Sequence, residues 1–114
     1  MLDVKEKGLV IYITEHCKRI EKTMRDISEQ DFYSNDDVKE IVCFNLLQIG
    51  ELVNKFSNTF CEIYPGVPWD KIRGLRNRIA HAYGAIRFDR VWLTASRDIE
   101  PLREYCESIL NNDK

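Results

Sequence analysis

Apolar side chains recur along this chain at spacings of three and four residues, the period of a helix with one buried face. The first stripe consists of Leu9, Val10, Ile13, Cys17, Ile20, Met24 and Ile27. It predicts a helix over residues 3–28, with His16 beside the stripe as a packing or boundary residue. No segment alternates apolar and polar residues as a half-buried strand would. We therefore expect an all-α protein, an antiparallel bundle of four to five helices forming one domain over residues 1–114.

A second helix is predicted after the polar break EQDFYSNDD, where Ser34, Asn35 and Asp36 offer oxygens that can cap its N-terminus. It should extend to about residue 58. Its apolar stripe consists of Val38, Ile41, Val42, Leu46, Ile49, Leu52, Val53 and Phe56. Gly50 lies inside this helix, where glycine costs about 1 kcal/mol relative to alanine. Because glycine has no Cβ, close approach of another helix would account for it.

The turn YPGVP leads into a third predicted helix, PWDKIRGLRNRIAHAYG, with Pro68 in its first turn and Gly84 at its end. Its apolar side consists of Trp69, Ile72, Leu75, Ile79 and Ala82. A last helix begins near Phe88 or Asp89, and Pro101 should break or kink it near Ile99 and Glu100.

Charge is distributed unevenly along the chain. Residues 70–90 contain Lys71, Arg73, Arg76, Arg78, Arg87 and Arg90 against Asp70 and Asp89. That window is therefore +4, and since the whole chain is −2, the remainder is −6. A basic patch on an acidic body indicates a local anionic partner, although a solvated helix face would give the same count.

The remaining composition narrows the class of protein. The four cysteines, Cys17, Cys43, Cys61 and Cys106, are scattered without zinc-ligand spacing, so we expect reduced, mostly buried thiols. The chain has no secretory signal pattern and no apolar run long enough to span a bilayer. We therefore expect a cytoplasmic globular protein.

The stretch GLRNRIAHAYG combines side chains suited to phosphate chemistry. Asn77 and His81 are four residues apart and share a helix face, whereas Arg76 and Tyr83 lie on an adjacent face. Arg76 and His81 diverge by about 140° on a regular helix. A curved arginine side chain, an unwound last turn or two facing copies of the helix could each bring them together. Surface decoration remains the alternative interpretation.

Histidine can transfer protons near neutral pH, and arginine offers a permanent charge with forked donors that match phosphate oxygens. These groups suffice for RNA cleavage in which the ribose 2′-hydroxyl attacks the adjacent phosphorus. The sequence has no paired-carboxylate or histidine cradle for a metal, and Glu51 alone does not make one. We predict no metal and no cofactor.

RNRIAHAY resembles the Arg-Asn-x-x-x-His-x-Tyr signature of HEPN domains, and the surrounding sequence is similar to the HepT-like branch. FNLLQIGELVNKFS resembles that branch's Ile-Gly-Glu helix, and FDRVWLTASRDIEPLREY resembles its last helix. The resemblance implies a homodimeric ribonuclease toxin with Arg76 and His81 as the catalytic pair and Asn77 in support. Arg73 and Arg78 are candidate contacts to RNA phosphates.

The resemblance also implies a partner, a minimal nucleotidyltransferase antitoxin that transfers AMP to Tyr83 and silences the toxin. The chain departs from many relatives at Gly84, Ala85 and Arg87, which could alter tyrosine access or RNA preference. The alternative is a non-catalytic subunit that dimerises, binds phosphate or nucleotide and assists the nucleotidyltransferase. The intact motif favours the enzyme.

Overall fold

The computed structural model describes residues 2–80 and 86–113. Seven α-helices and one π turn occur within these ranges. They are α1 (Val4–Met24), α2 (Glu29–Ser34), α3 (Asp36–Val53), α4 (Asn58–Ile63), α5 (Trp69–Ala80), α6 (Phe88–Leu93), the π turn (Thr94–Asp98) and α7 (Ile99–Asn112). The described part contains no strand, which confirms the all-α prediction. Helices α1, α3 and α5 correspond to the first three expected. The last expected helix begins at Phe88, as predicted, with α6 and continues through the π turn into α7. The short helices α2 and α4 lie between the longer ones.

The first helix is shorter than predicted because the backbone leaves the helical region after Met24. Asp26 has φ of 62°, a left-handed conformation that aspartate tolerates and that no right-handed helix can continue through. Ser28 then caps a new helix, since its hydroxyl accepts from the backbone N–H of Asp31 at 3.1 Å. The polar break of the sequence therefore contains α2, whose Phe32 is fully buried.

The second long helix starts where expected, with the Asn35 side chain accepting from the Val38 N–H at 3.1 Å. It ends at Val53 rather than near residue 58, and Ser57 caps the separate helix α4. The break allows aromatic packing before α5. Phe56 stacks on Phe60 with ring centroids 3.8 Å apart, and its ring is 5.3 Å from that of Trp69.

Pro101 distorts the C-terminal helix further upstream than predicted. The irregular turn spans Thr94–Asp98, and α7 begins at Ile99. Pro101 therefore lies in the first turn of α7, directly after the π turn. In a regular α-helix the ring of Pro101 would clash with the carbonyl of Arg97, four residues earlier. The wider π turn, which contains Arg97, avoids this clash.

Helix α3 lies between α1 and α5, and α7 packs against the other side of α1. The predicted stripes supply the core, which includes Val10, Ile13, Leu46, Ile49 and Ile99. Among the described residues, all four cysteines are free thiols, as predicted. Cys17 and Cys106 are buried, and burial raises the pKa of the Cys106 thiol to about 12.

Two predictions about individual side chains have different outcomes. His16 is half-buried at the edge of the core, as expected, with Nδ1 2.8 Å from the Asn45 side-chain oxygen. Ile41, which the periodicity assigned to the buried stripe, is instead 45% exposed, and its neighbour Phe44 is 55% exposed.

A membrane-spanning segment needs a long apolar helix, and the described part of the chain contains no such helix.

Candidate active site

Helix α5 carries the described part of the motif and is anchored at its N-terminal end. The buried Trp69 ring donates its indole N–H to the Tyr64 carbonyl at 2.6 Å. In the preceding turn, the Gly66 N–H donates to the Tyr105 hydroxyl at 3.0 Å. These contacts fix where α5 begins and hence which faces its later residues occupy.

Further along, α5 packs closely against α3. A Cβ added at Gly50 would lie 2.9 Å from the backbone nitrogen of Arg76 and 3.3 Å from the carbonyl oxygen of Ile72. The prediction that Gly50 permits close helix approach is confirmed. We call this contact the α3–α5 seam, defined by Gly50, Ile72 and Arg76.

Arg76 leaves the seam toward solvent and forms an ion pair with Glu51, the residue after Gly50. Both side chains are about half exposed, at 47% for Arg76 and 42% for Glu51. Glu51 therefore restrains the guanidinium without burying it. Sequence reasoning did not predict this pairing of Glu51. The available signal was its position directly after a glycine that marks a helix contact.

The other predicted residues of α5 differ in their surroundings. The half-buried Arg73 donates to Asp70 at 2.9 Å and to the Phe56 carbonyl at 3.4 Å, contacts that tie it to the fold. Asn77 is exposed. Arg78 is also exposed, and its guanidinium donates to the Lys71 carbonyl at 3.0 Å. Whether these residues contact RNA stays a prediction.

His81 and Tyr83 lie outside the described residues, as do Ala82, Gly84 and Ala85. The predicted pairing of Arg76 with His81, the predicted helix stop at Gly84 and the role of Tyr83 are therefore not tested by the structure. The described side of the site consists of Arg76 and Asn77 on α5 and Glu51 on α3.

Beyond that segment, the basic window is partly neutralised. The Arg87 guanidinium donates twice to the Asp89 carboxylate, at 3.1 and 2.8 Å. This hydrogen bonding lowers the pKa of Asp89 and raises the pKa of Arg87. Since Arg76 is also paired with Glu51, the cationic character of α5 and its surroundings depends most on Lys71, Arg78 and Arg90.

Comparison of the sequence with known proteins identifies a family and several relatives. The family model described as Ribonuclease HepT-like matches residues 13–109. The chain is 29% identical over 97 residues to the "Probable ribonuclease HepT" of Thermococcus cleftensis, covering 85% of this chain and 88% of that protein. It is 27% identical over 103 residues to the "Putative RNase TTE0752" of Caldanaerobacter subterraneus subsp. tengcongensis, covering 90% and 92%. No solved structure matches the chain.

Proposed function

The chain belongs to the HepT-like ribonuclease family, and from that premise we propose that it is a metal-independent RNA endonuclease acting through Arg76 and His81. The observation that carries the proposal is the position of the Arg76 guanidinium, which is both exposed and restrained. The guanidinium is exposed enough to meet a phosphate, yet it is restrained by Glu51 at the α3–α5 seam. A restrained cation can stabilise charge that develops in a transition state without first having to reorganise.

In the proposed reaction the ribose 2′-oxygen bonds to phosphorus while the bond from phosphorus to the 5′-oxygen breaks. The products are a 2′,3′-cyclic phosphate and a free 5′-hydroxyl. A base must take the proton of the 2′-hydroxyl, and an acid must give one to the leaving 5′-oxygen, tasks suited to His81. Arg76 would balance the additional charge on the phosphate oxygens.

We further propose that the active unit is a homodimer, which would supply two copies of Arg76 and His81 to one cleft. The exposed surface of α3 supports this. Ile41 and Phe44 are solvent-exposed, and Phe44 lies seven residues before Glu51, on the same face of the helix. A second copy covering that face would shield both apolar side chains and bring its own Arg76 nearby.

Cleavage is tested with pure protein and single-stranded RNA in EDTA, comparing wild type with Arg76→Ala and His81→Ala. We expect cyclic phosphate ends from wild type and a rate about 100-fold to 1,000-fold lower in either variant. Arg25→Ala, at an exposed position after α1, is the matched control and should cleave normally. Equal degradation by all four proteins would indicate a contaminating nuclease. Tight RNA binding without cleavage would favour the non-catalytic alternative.

The dimer is tested by Phe44→Glu, which places a charge on the exposed face of α3. Sedimentation should show a monomer, and cleavage should fall although Arg76 and His81 are intact. Ile63→Glu introduces the same charge at an exposed apolar residue of α4 and should leave both properties unchanged. A folded Phe44→Glu protein that stays dimeric and active would rule out this face as the interface.

We also propose that this is the toxin of a cytoplasmic toxin–antitoxin pair, silenced when a partner nucleotidyltransferase attaches AMP to Tyr83. The tyrosine oxygen would attack the α-phosphorus of ATP and pyrophosphate would leave. The added phosphate, close in sequence to Arg76, would repel RNA.

The modification is tested by incubating the protein with the partner and ATP. Mass spectrometry should show that the wild-type protein gains one AMP and that Tyr83→Phe gains none. Tyr12→Phe, at an exposed tyrosine of α1, should be modified normally. If the Tyr83→Phe protein still gains AMP, Tyr83 is not the modified residue.

A further inference from the structure

Helix α5 also borders open space. Beside the α3–α5 seam, two cavities of about 320 and 240 Å³ lie between α5 and the C-terminal helical segments. Leu75, Arg78 and Thr94 line both cavities, so the two adjoin. We call the two cavities together the α5 groove.

The inner surface of the α5 groove is apolar. The buried side chains of Ile99 and Leu102 line the first cavity, and those of Leu46 and Val91 line the second. Leu75 is buried between them. The first cavity reaches the lower end of the range of about 300–1,000 Å³ in which small-molecule sites fall. Its walls suit a flat apolar group of modest size.

Cations outnumber carboxylates among the described residues that line the groove. Lys71 and Arg78 line the first cavity, and Arg78, Arg90 and Arg87, which Asp89 partly neutralises, line the second. Among these lining residues, Asp98 is the one carboxylate. The hydrogen bond from Arg78 to the Lys71 carbonyl holds the Arg78 guanidinium along α5. An anionic ligand with an apolar part therefore matches this surface better than a neutral one.

We propose that the α5 groove binds one unpaired nucleotide of the RNA, with the base in the first cavity and the flanking phosphates on Arg78 and Arg90. Unstacked bases bind by packing their faces on side chains and guanidinium planes, while cations track the backbone. This inference rests on the proposed function only in taking RNA as the ligand.

The groove lies outside the proposed cleavage cleft. Arg78 follows Arg76 by two residues, which places their side chains about 200° apart around α5. A nucleotide bound beside Arg78 is therefore on the far side of the helix from the reacting phosphate. It adds affinity for RNA without taking part in chemistry, so its loss raises KM and leaves kcat unchanged.

The test measures the dissociation constant of a fluorescent 2′-fluoro RNA, which lacks the attacking hydroxyl and cannot be cut by this reaction. Thr94→Phe fills the centre of the groove and should weaken binding about tenfold with no change in salt dependence. Arg78→Gln and Arg90→Gln should each weaken binding and lower the salt slope by about 0.7. The matched control is Arg97→Gln, an exposed arginine of the π turn that does not line the groove and should bind as wild type.

Melting curves first establish that each variant is folded. If Thr94→Phe is unfolded, Arg78→Gln and Arg90→Gln decide the question alone, since both positions are exposed. Unchanged affinity in folded groove variants overturns the proposal. Binding of free 5′-mononucleotides that is lost in Thr94→Phe but does not compete with RNA would also overturn it, because the ligand would then be a free nucleotide. Groove-dependent binding by a protein that cleaves nothing would leave this inference standing and reject the proposed reaction.

Discussion

Helix α5 meets the rest of the bundle along two sides that differ in packing. At the α3–α5 seam there is no room for one more carbon atom, since a Cβ on Gly50 would lie 2.9 Å from the nitrogen of Arg76. Along the α5 groove, cavities of about 320 and 240 Å³ separate the helix from the C-terminal segments. The side with Arg76 is closely packed, as the proposed catalytic role requires. The side with Arg78 has space, as the proposed nucleotide site requires.

The largest expected effect comes from opening the seam with Gly50→Ala. Because the obstructing atoms belong to the α5 backbone, the helices must separate, and we expect a loss of about 1–3 kcal/mol in the free energy of unfolding. Cleavage should also fall, since Arg76 is displaced. Denaturant titration and a cleavage assay measure the two effects. Gly8→Ala, with no atom within 4 Å of the new Cβ, is the control and should not destabilise. Unchanged stability for Gly50→Ala would show that the seam is not tight.

A smaller effect is expected from Glu51→Gln, which removes the charge that restrains Arg76 while keeping the shape of the side chain. Half-exposed ion pairs contribute little to stability, so the melting temperature should change only slightly. The cleavage rate should fall about tenfold, or about 1.4 kcal/mol, with RNA affinity undiminished.

The control for Glu51→Gln is Glu40→Gln, which makes the same change at an exposed position of α3 and should cleave at the wild-type rate. Rescue of cleavage by Glu51→Asp would support the positioning role. If Glu51→Gln keeps full activity, the ion pair does not orient Arg76.

Gly74→Ala tests α5 away from the seam. The nearest atom to its Cβ would be the Arg78 guanidinium nitrogen at 3.9 Å, an ordinary contact with a flexible side chain. Alanine should therefore stabilise the helix by about 0.5–1 kcal/mol, opposite in sign to Gly50→Ala. Thermal melting of both variants measures the contrast. Destabilisation by Gly74→Ala would mean that this side of α5 is as crowded as the seam.

The smallest effect concerns Asp89, which partly neutralises Arg87 at the edge of the groove. Asp89→Asn should tighten RNA binding about twofold at low salt because one repulsive charge is removed. The pKa of Asp89 is lowered, so its carboxylate stays ionised until the pH falls below the usual aspartate range. The difference between variant and wild type should thus persist at about pH 4, where an ordinary aspartate is about half protonated. Asp37→Asn, exposed in the first turn of α3, is the control. A difference already halved at pH 4 would contradict the lowered pKa.

The sequence was sufficient for the architecture because helical periodicity and capping are local. The apolar stripe of α1 from Leu9 to Ile20, the cap at Asn35 and the close approach at Gly50 were all predictable from neighbouring residues, although the stripe was expected to continue to Ile27. The early end of α1 was not, because it depends on a left-handed Asp26, a conformation that few aspartates adopt.

The candidate site was less predictable because its contacts cross between helices. The glycine before Glu51 marks a helix contact but does not identify Arg76 as its partner, and nothing local indicates that Arg73 would bond to the Phe56 carbonyl. The helical spacing of apolar residues also does not predict that Ile41 is exposed. The spacing identifies apolar positions on a helix but not the residues that cover them. The proposed roles of His81 and Tyr83 are inferred from the sequence motif alone.

The pairing of α1 with α7 has a consequence for the order in which the chain folds. Glu21 meets Arg103 across 82 residues of sequence, and the Leu2 N–H donates to Asp113 at 2.9 Å near the opposite ends of the same two helices. Gly50 and Arg76 are much closer in sequence. Since long loops cost more entropy to close, we expect the hairpin of α3, α4 and α5 to form early and α7 to dock last. During synthesis the seam would then assemble before the bundle closes, leaving the α5 groove as the last surface to be completed.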